Sequence, residues 1–208
     1  MKRFLIAFTA LVSAVATPVM AQGDVEAGKA AAATCAACHG TDGNATVTIY
    51  PKIAGQHASY ILKQLKEFKL GMQTGGKEGR YDPVMGGMAM PLDETTMENL
   101  AAFYASQTMA PGATPEDVIE VGEQLYRGGD PERGLPACLA CHGPRGVGSS
   151  LAKFPAISAQ HPEYTKAQLD KFKSGDRAND MNGMMRDIAM KLTDEEIEIL
   201  AKYLAGLH

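Results

Sequence analysis

The sequence predicts an all-α protein built from two tandem copies of one helical domain. The chain of 208 residues repeats its distinctive segments, and residues 35–40 match residues 138–143 at an offset of 103. The last predicted helix of each half has an apolar stripe at helical spacing, and no segment has the alternating pattern of a half-buried strand. The length also suits two small domains.

Each half is predicted to contain three main helices. The first and middle helices are expected at residues 24–34, 58–70 and 162–173. The first helix of the second half is expected to begin at Thr114, where Thr-Pro-Glu-Asp is typical of a capped start. Gly71 and Gly175 are expected to end the middle helices. The last helices begin at Asp93 and Thr193. Their stripes are formed by Met97, Leu100, Ala101 and Tyr104, and by Ile197, Leu200, Ala201 and Leu204.

The N-terminus has the features of a secretory signal peptide. Lys2 and Arg3 precede an apolar run, residues 4–16, which is too short to span a membrane. Residues 1–21 are therefore predicted to be cleaved, and the mature protein is expected in the periplasm, soluble or peripherally attached to a membrane. The predicted divisions are 1–21 for the signal peptide, 22–108 for the N-terminal domain, 109–113 for the linker and 114–208 for the C-terminal domain.

The charge balance argues against nucleic acid as a partner. The chain has 20 Lys and Arg against 24 Asp and Glu. Residues 22–110 carry 7 basic and 9 acidic side chains, and residues 111–208 carry 11 and 15. Neither half has the basic excess that binding to a phosphate backbone requires.

The four cysteines form two C-x-x-C pairs, Cys35 with Cys38 and Cys138 with Cys141, and a histidine follows each pair. C-x-x-C-H is the attachment motif of c-type haem, in which two thiols bond the macrocycle and the histidine binds iron. A thioredoxin-like dithiol would need a preceding strand, and zinc would need several of these ligands to converge. The sequence therefore predicts two covalently bound haem c groups.

The chain has these paired motifs, Gln-His segments at residues 56–57 and 160–161, and a closing Leu-His. In these features it resembles the dihaem cytochrome c4 family, and the resemblance covers essentially its whole mature length. The resemblance implies two class I cytochrome c domains related by pseudo-two-fold symmetry, with the haems near the interface. It implies a one-electron carrier, not an enzyme, serving partners such as a quinol-cytochrome c reductase and a terminal oxidase. A cytochrome subunit of a flavocytochrome c and a dihaem peroxidase are the alternatives.

His39 and His142, which close the two motifs, are the predicted proximal iron ligands. A ligating histidine usually donates its second ring N–H to an acceptor, which fixes the ring. The resemblance to class I cytochromes implies a proline carbonyl for this role. Pro51 and Pro155 follow the two histidines by 12 and 13 residues.

Methionine is the predicted sixth ligand of each iron. Met85 and Met185 recur in register in a glycine-containing stretch, predicted as a loop, where class I cytochromes have their ligand. Met90 and Met190 also recur and are expected to fill core space. His57 and His161 offer bis-histidine sites as an alternative, and otherwise a cap for the helix that follows. We expect Tyr50, Tyr60, Phe154 and Tyr164 to pack against haem, and Arg145 and Arg177 to be solvated.

Overall fold

A computed structural model describes residues 23–207 as two helical halves joined by an extended segment. The predicted signal peptide, residues 1–21, lies outside the described residues. The two short bridges in the described chain, Asp130–Leu135 and Ser149–Phe154, are isolated pairs that form no sheet. Within residues 23–207 no helix is long and apolar enough to cross a membrane.

Between residue 23 and the linker, the N-terminal half contains five α-helices, and carboxylates begin three of them. They are α1 (Val25–Ala31), α2 (Ala36–His39), α3 (Ala58–Gln73), α4 (Pro83–Ala89) and α5 (Glu94–Ala105). Asp24, Asp82 and Asp93 each accept hydrogen bonds from backbone N–H groups of the first turn. Such caps satisfy donors that the helix itself leaves free.

The C-terminal half repeats this arrangement. Its helices are α6 (Ile119–Gly128), α7 (Leu139–His142), α8 (Pro162–Ser174), α9 (Met184–Ala189) and α10 (Asp194–Ala205). Thr193 and Glu196 form the capping box predicted for α10. Gly175 ends α8 in the left-handed conformation, as predicted. The predicted stripes of α5 and α10 are buried in the two cores.

Three helix boundaries differ from the prediction. The first α-helix ends at Ala31, and a 3₁₀ turn follows it to Thr34. The middle helix runs through Gly71, where a Cβ would lie 2.3 Å from the Arg80 carbonyl oxygen, so this glycine permits close approach of two backbone segments instead of ending the helix. Thr114 caps no helix, because its hydroxyl donates to the Tyr203 carbonyl; a 3₁₀ turn, Glu116–Val118, precedes α6.

Each half has its own hydrophobic core. In the N-terminal half, α1 and α3 pack on α5, and in the C-terminal half α6 and α8 pack on α10. Cys35 borders the first core and Cys138 the second. The cysteine motifs therefore lie at the edge of the packed interior of each domain.

Two glutamines join the halves through a reciprocal pair of contacts. The side-chain amide of Gln160 donates to the Lys52 carbonyl (2.8 Å) and its oxygen accepts from the Lys52 N–H (2.9 Å). Gln56 makes the same two bonds to Ala156, at 2.8 and 3.0 Å. Both glutamines are buried. Each half thus pairs a buried side-chain amide with the backbone of the other half.

A second part of this interface contains two buried arginines. Arg80 and Arg177 bond the same two side-chain oxygens, those of Gln64 and Gln168. Each guanidinium also lies over a phenylalanine ring of its own half. Among residues 23–207 neither forms a salt bridge, and Arg177 is not solvated as the sequence predicted. Arg145 is exposed, as expected.

Gly28→Ala is expected to lower the free energy of unfolding of the haem-loaded protein by about 3 kcal/mol, the upper end of the cost of overpacking. The added Cβ would lie 2.0 Å from the Asn99 carbonyl oxygen, where α1 crosses α5. Gly128→Ala is the matched control, because its Cβ would meet nothing within 4 Å, and it should be neutral or slightly stabilising. Chemical denaturation measures both; equal stability of the two variants would contradict the close crossing.

Candidate functional site

The two C-x-x-C-H motifs lie on the short helices α2 and α7. The first cysteine of each motif begins the helix and the histidine ends it, so both thiols and the ring share little more than one turn. Gly40 and Gly143 follow with φ of +78° and +76°, a conformation that favours glycine. The chain therefore turns away immediately after each histidine.

Both histidine rings are held by a proline carbonyl. Nδ1 of His39 lies 2.9 Å from the Pro51 oxygen, and Nδ1 of His142 lies 3.0 Å from the Pro155 oxygen. A carbonyl only accepts, so Nδ1 carries the proton and Nε2 keeps its lone pair. Burial lowers the pKa of both imidazoles, and the proline bond only partly offsets it. Each ring is thus oriented and neutral, as a metal ligand requires.

Met85 and Met185 lie in the first turns of α4 and α9, so the stretch predicted as a loop is helical in both halves. Both side chains are partly buried. Asp82 accepts from the Met85 N–H at 3.0 Å, which fixes the start of α4. Met90 and Met190 are 39% and 59% exposed, so the prediction that they fill core space is wrong.

His57 and His161 do not cap the helices that they precede. Instead, Nε2 of His57 bonds the Val147 carbonyl oxygen of the other half, and Nε2 of His161 bonds the Ala45 carbonyl oxygen. Both distances are 2.8 Å. These histidines belong to the domain interface, and iron binding through Nε2 would break that contact.

The aromatic residues expected to pack against haem fall into two groups. Tyr50 and Phe154 lie beside the motif histidines, with ring centroids 6.5 and 6.4 Å from those of His39 and His142. The other two face the interface: the hydroxyl of Tyr60 accepts a hydrogen bond from Arg177, and that of Tyr164 lies 3.4 Å from an Arg80 nitrogen. Burial raises the pKa of Tyr164, but the two guanidiniums outweigh it and the pKa is lowered.

The residues around each motif fit a covalently attached haem. All four cysteines are free thiols, and within residues 23–207 no three His, Cys, Asp or Glu side chains converge as zinc would need. The Tyr104 hydroxyl is buried without a hydrogen-bond partner among these residues. Burial and the neighbouring Cys35 raise its pKa. An unpartnered buried donor beside an attachment cysteine is consistent with a group that completes the site.

Fold and motifs together define a tandem c-type cytochrome, and the cytochrome c family model matches residues 25–108 and 119–208. The chain belongs to the dihaem cytochrome c4 family. It is 51% identical to cytochrome c4 of Thiocapsa roseopersicina over 89% of this chain and 93% of that one. The crystal structure of reduced recombinant cytochrome c4 from Pseudomonas stutzeri superposes with a TM-score of 0.87 at 43% identity, covering 89% of this chain and all of that one.

The chain is also similar to a protein that is described as an electron acceptor of a dehydrogenase. The thiosulfate dehydrogenase electron acceptor of Thiomonas intermedia is 38% identical over 84% of this chain and 79% of its own length. Family membership means that this chain is an electron-transfer protein with two covalently bound haem c groups, one at Cys35 and Cys38 and one at Cys138 and Cys141.

Two tyrosines border the attachment cysteines, a position that the sequence did not predict for either of them. Tyr104 comes from α5, the last helix of its half, whereas Tyr126 comes from α6, the first helix of the other half. The Tyr126 hydroxyl donates to the Gly143 carbonyl at 2.5 Å, and burial and Cys138 raise its pKa. Comparison of the repeats would have revealed the difference, because Leu204 stands where the first half has Tyr104.

Met85→Ala and Met185→Ala should each abolish one of the two charge-transfer bands typical of Met–ferric haem and lower one reduction potential by roughly 100 mV or more, within the range that axial ligands span. Loss of a thioether ligand removes the preference for ferrous iron. Met90→Ala is the matched control, because its side chain is exposed one turn away. Unchanged bands and potentials in both Met85→Ala and Met185→Ala would exclude this ligand pair.

Proposed function

We propose that this protein is a periplasmic one-electron carrier that accepts electrons from a quinol-cytochrome c reductase and delivers them to a terminal oxidase. The observation that supports this most is the equivalence of the two sites. Each half has a neutral, buried histidine held by a proline carbonyl, at 2.9 and 3.0 Å. Two alike and fixed iron environments suit transfer of electrons more than chemistry on a bound substrate.

In this proposal His39 and His142 would hold iron through Nε2, and Met85 and Met185 would be the other protein ligands. The two haems would supply one-electron chemistry. Met/His ligation gives a higher potential than bis-His ligation, which suits delivery to an oxidase. The rigid rings limit rearrangement of the protein on electron transfer, because Nδ1 already has its partner.

The proposed ligation, which would leave neither iron with an open position, argues against a dihaem peroxidase. Such an enzyme needs one iron with an open or displaceable position and acid-base groups close to it. Here both halves offer the same histidine and methionine. The carboxylates of the described residues serve mainly as helix caps and surface ion pairs, such as Arg133 with Glu196 and Lys202 with Glu198.

The proposed periplasmic location is supported by the N-terminal sequence pattern and by the covalent haem itself. Residues 1–21 have the charged start and short apolar run of a secretory signal peptide. Haem is attached to c-type cytochromes outside the cytoplasm, which agrees with secretion of this chain.

A second candidate function is to accept electrons from a sulfur-oxidising dehydrogenase. It is favoured by the similarity to the thiosulfate dehydrogenase electron acceptor of Thiomonas intermedia. In that case the same two sites operate and only the electron donor differs. In a third arrangement this chain would be the cytochrome subunit of a flavocytochrome c, and the flavoprotein subunit would be its permanently bound electron donor.

The experiment presents the oxidised holoprotein, in separate stopped-flow runs, with a quinol-cytochrome c reductase, a thiosulfate dehydrogenase and a flavoprotein dehydrogenase. We expect rapid reduction of both haems by the reductase, reoxidation by a terminal oxidase, and no steady-state reduction of hydrogen peroxide. A faster reaction with thiosulfate dehydrogenase would favour the second candidate. Robust peroxide turnover with a high-spin haem in the resting protein would contradict a carrier role.

A further inference from the structure

The peptide unit between Pro51 and Lys52 is hydrogen-bonded at both of its ends. Its carbonyl accepts from Nδ1 of His39 at 2.9 Å. Its N–H donates to the side-chain oxygen of Gln160, in the other half of the molecule, at 2.9 Å. One rigid amide plane therefore stands between the proposed ligand of the N-terminal haem and a residue of the C-terminal domain.

The second half contains the same chain of contacts with the roles exchanged. The Pro155 carbonyl accepts from Nδ1 of His142 at 3.0 Å. The Ala156 N–H, which belongs to the same peptide unit, donates to the side-chain oxygen of Gln56 at 3.0 Å. Neither Lys52 nor Ala156 contributes its side chain to this path, so the two paths are equivalent although the residues differ.

Both glutamine side chains are fixed in one orientation. The Gln160 oxygen accepts a second bond, from the His161 N–H at 3.0 Å, while its nitrogen donates to the Lys52 carbonyl. The Gln56 amide uses its oxygen and nitrogen in the same way. Rotation of either side-chain amide by a half-turn would place its NH₂ group against two backbone N–H donors and its oxygen against a backbone carbonyl oxygen. The acceptor role toward the peptide N–H is thus built into the interface.

Hydrogen bonds at the two ends of one amide strengthen each other, because donation by the N–H increases the negative charge on the carbonyl oxygen. A more negative oxygen is a better acceptor for the histidine Nδ1–H, and the imidazole becomes a stronger donor to iron. A stronger donor favours ferric iron and lowers the reduction potential.

We infer that Gln160 and Gln56 are positioning residues that act across the domain interface, and that each lowers the reduction potential of the haem held by the other domain. Gln160 acts on the haem at His39, and Gln56 acts on the haem at His142. The inference rests on the proposed iron ligation by these histidines, which the ferric spectrum of the wild-type protein tests separately. It does not depend on the identity of any redox partner.

The test is a redox titration of the Gln160→Met and Gln56→Met holoproteins, with each haem followed through methyl resonances assigned to its domain. Methionine keeps the length of glutamine but removes the acceptor and excludes water. Gln160→Met should raise the potential of the N-terminal haem by up to about 59 mV. For one electron this is about a tenfold change in the equilibrium constant for reduction. Gln56→Met should do the same for the C-terminal haem alone.

Ser59→Ala is the matched control, because the Ser59 hydroxyl bonds the Ser150 carbonyl across the same interface at 2.8 Å without touching either proline peptide. It should leave both potentials unchanged. In the reduced protein, Gln160→Met should also shift the Nδ1–H proton resonance of His39 toward weaker hydrogen bonding and leave that of His142 in place. If the glutamine only holds the two domains together, its replacement should change the stability of the protein but neither the reduction potentials nor the Nδ1–H resonance of His39.

A shift at the haem of the substituted glutamine's own domain, an equal shift at both haems, or no shift beyond that of Ser59→Ala would overturn the inference. If Gln160→Met does not fold, Gln160→Glu retains the oxygen that accepts from Lys52 and makes it a stronger acceptor. The potential of the N-terminal haem should then fall further than that of the C-terminal haem. The reverse order would also overturn the inference.

Discussion

The hydrogen bond between each motif histidine and a proline carbonyl is the constraint on which the rest of the structure depends. It fixes the ring and its tautomer, and it also fixes the first residue of the segment that runs to Gln56 or Gln160. That segment then supplies the backbone and side-chain groups which join the two halves. Six residues in each half thus contribute both to the surroundings of an attachment site and to the contact between domains, so neither can change shape without the other.

Both halves share this hydrogen bond, but the surroundings of the two attachment sites differ. The Tyr104 hydroxyl beside the N-terminal site is buried without a partner among residues 23–207, whereas the Tyr126 hydroxyl beside the C-terminal site is bonded to a carbonyl. The ammonium group of the buried Lys52 donates to the carbonyl oxygens of Ala110 and Ala159, and burial lowers its pKa. Its counterpart Ala156 has no charge. Burial, charge and hydrogen bonding are the properties through which a protein tunes the potential of a haem.

Features that depend on local spacing were predictable from the sequence. The cysteine motifs, the cap at Thr193 and the apolar stripe at Met97 and Leu100 repeat at fixed distances and were expected correctly. Features set by contacts between distant residues were not. Gly71 looks like a helix end, but it is buried against the Arg80 backbone. Arg177 looks like a surface charge, because only the folded chain reveals the glutamines and tyrosines of the other half around it. The methionine and histidine ligands remain predictions of this local kind.

The exchange of roles at the domain interface has an evolutionary consequence. Gln56 contacts Ala156 as Gln160 contacts Lys52, and His57 contacts Val147 as His161 contacts Ala45. Contacts that occur twice with the roles exchanged are typical of a symmetric homodimer. A single domain with glutamine and histidine after its proline contains both sides of these contacts. Tandem duplication of such a domain would join two copies that already fit each other, and a change in one copy, as at Lys52 and Ala156, would affect one half alone.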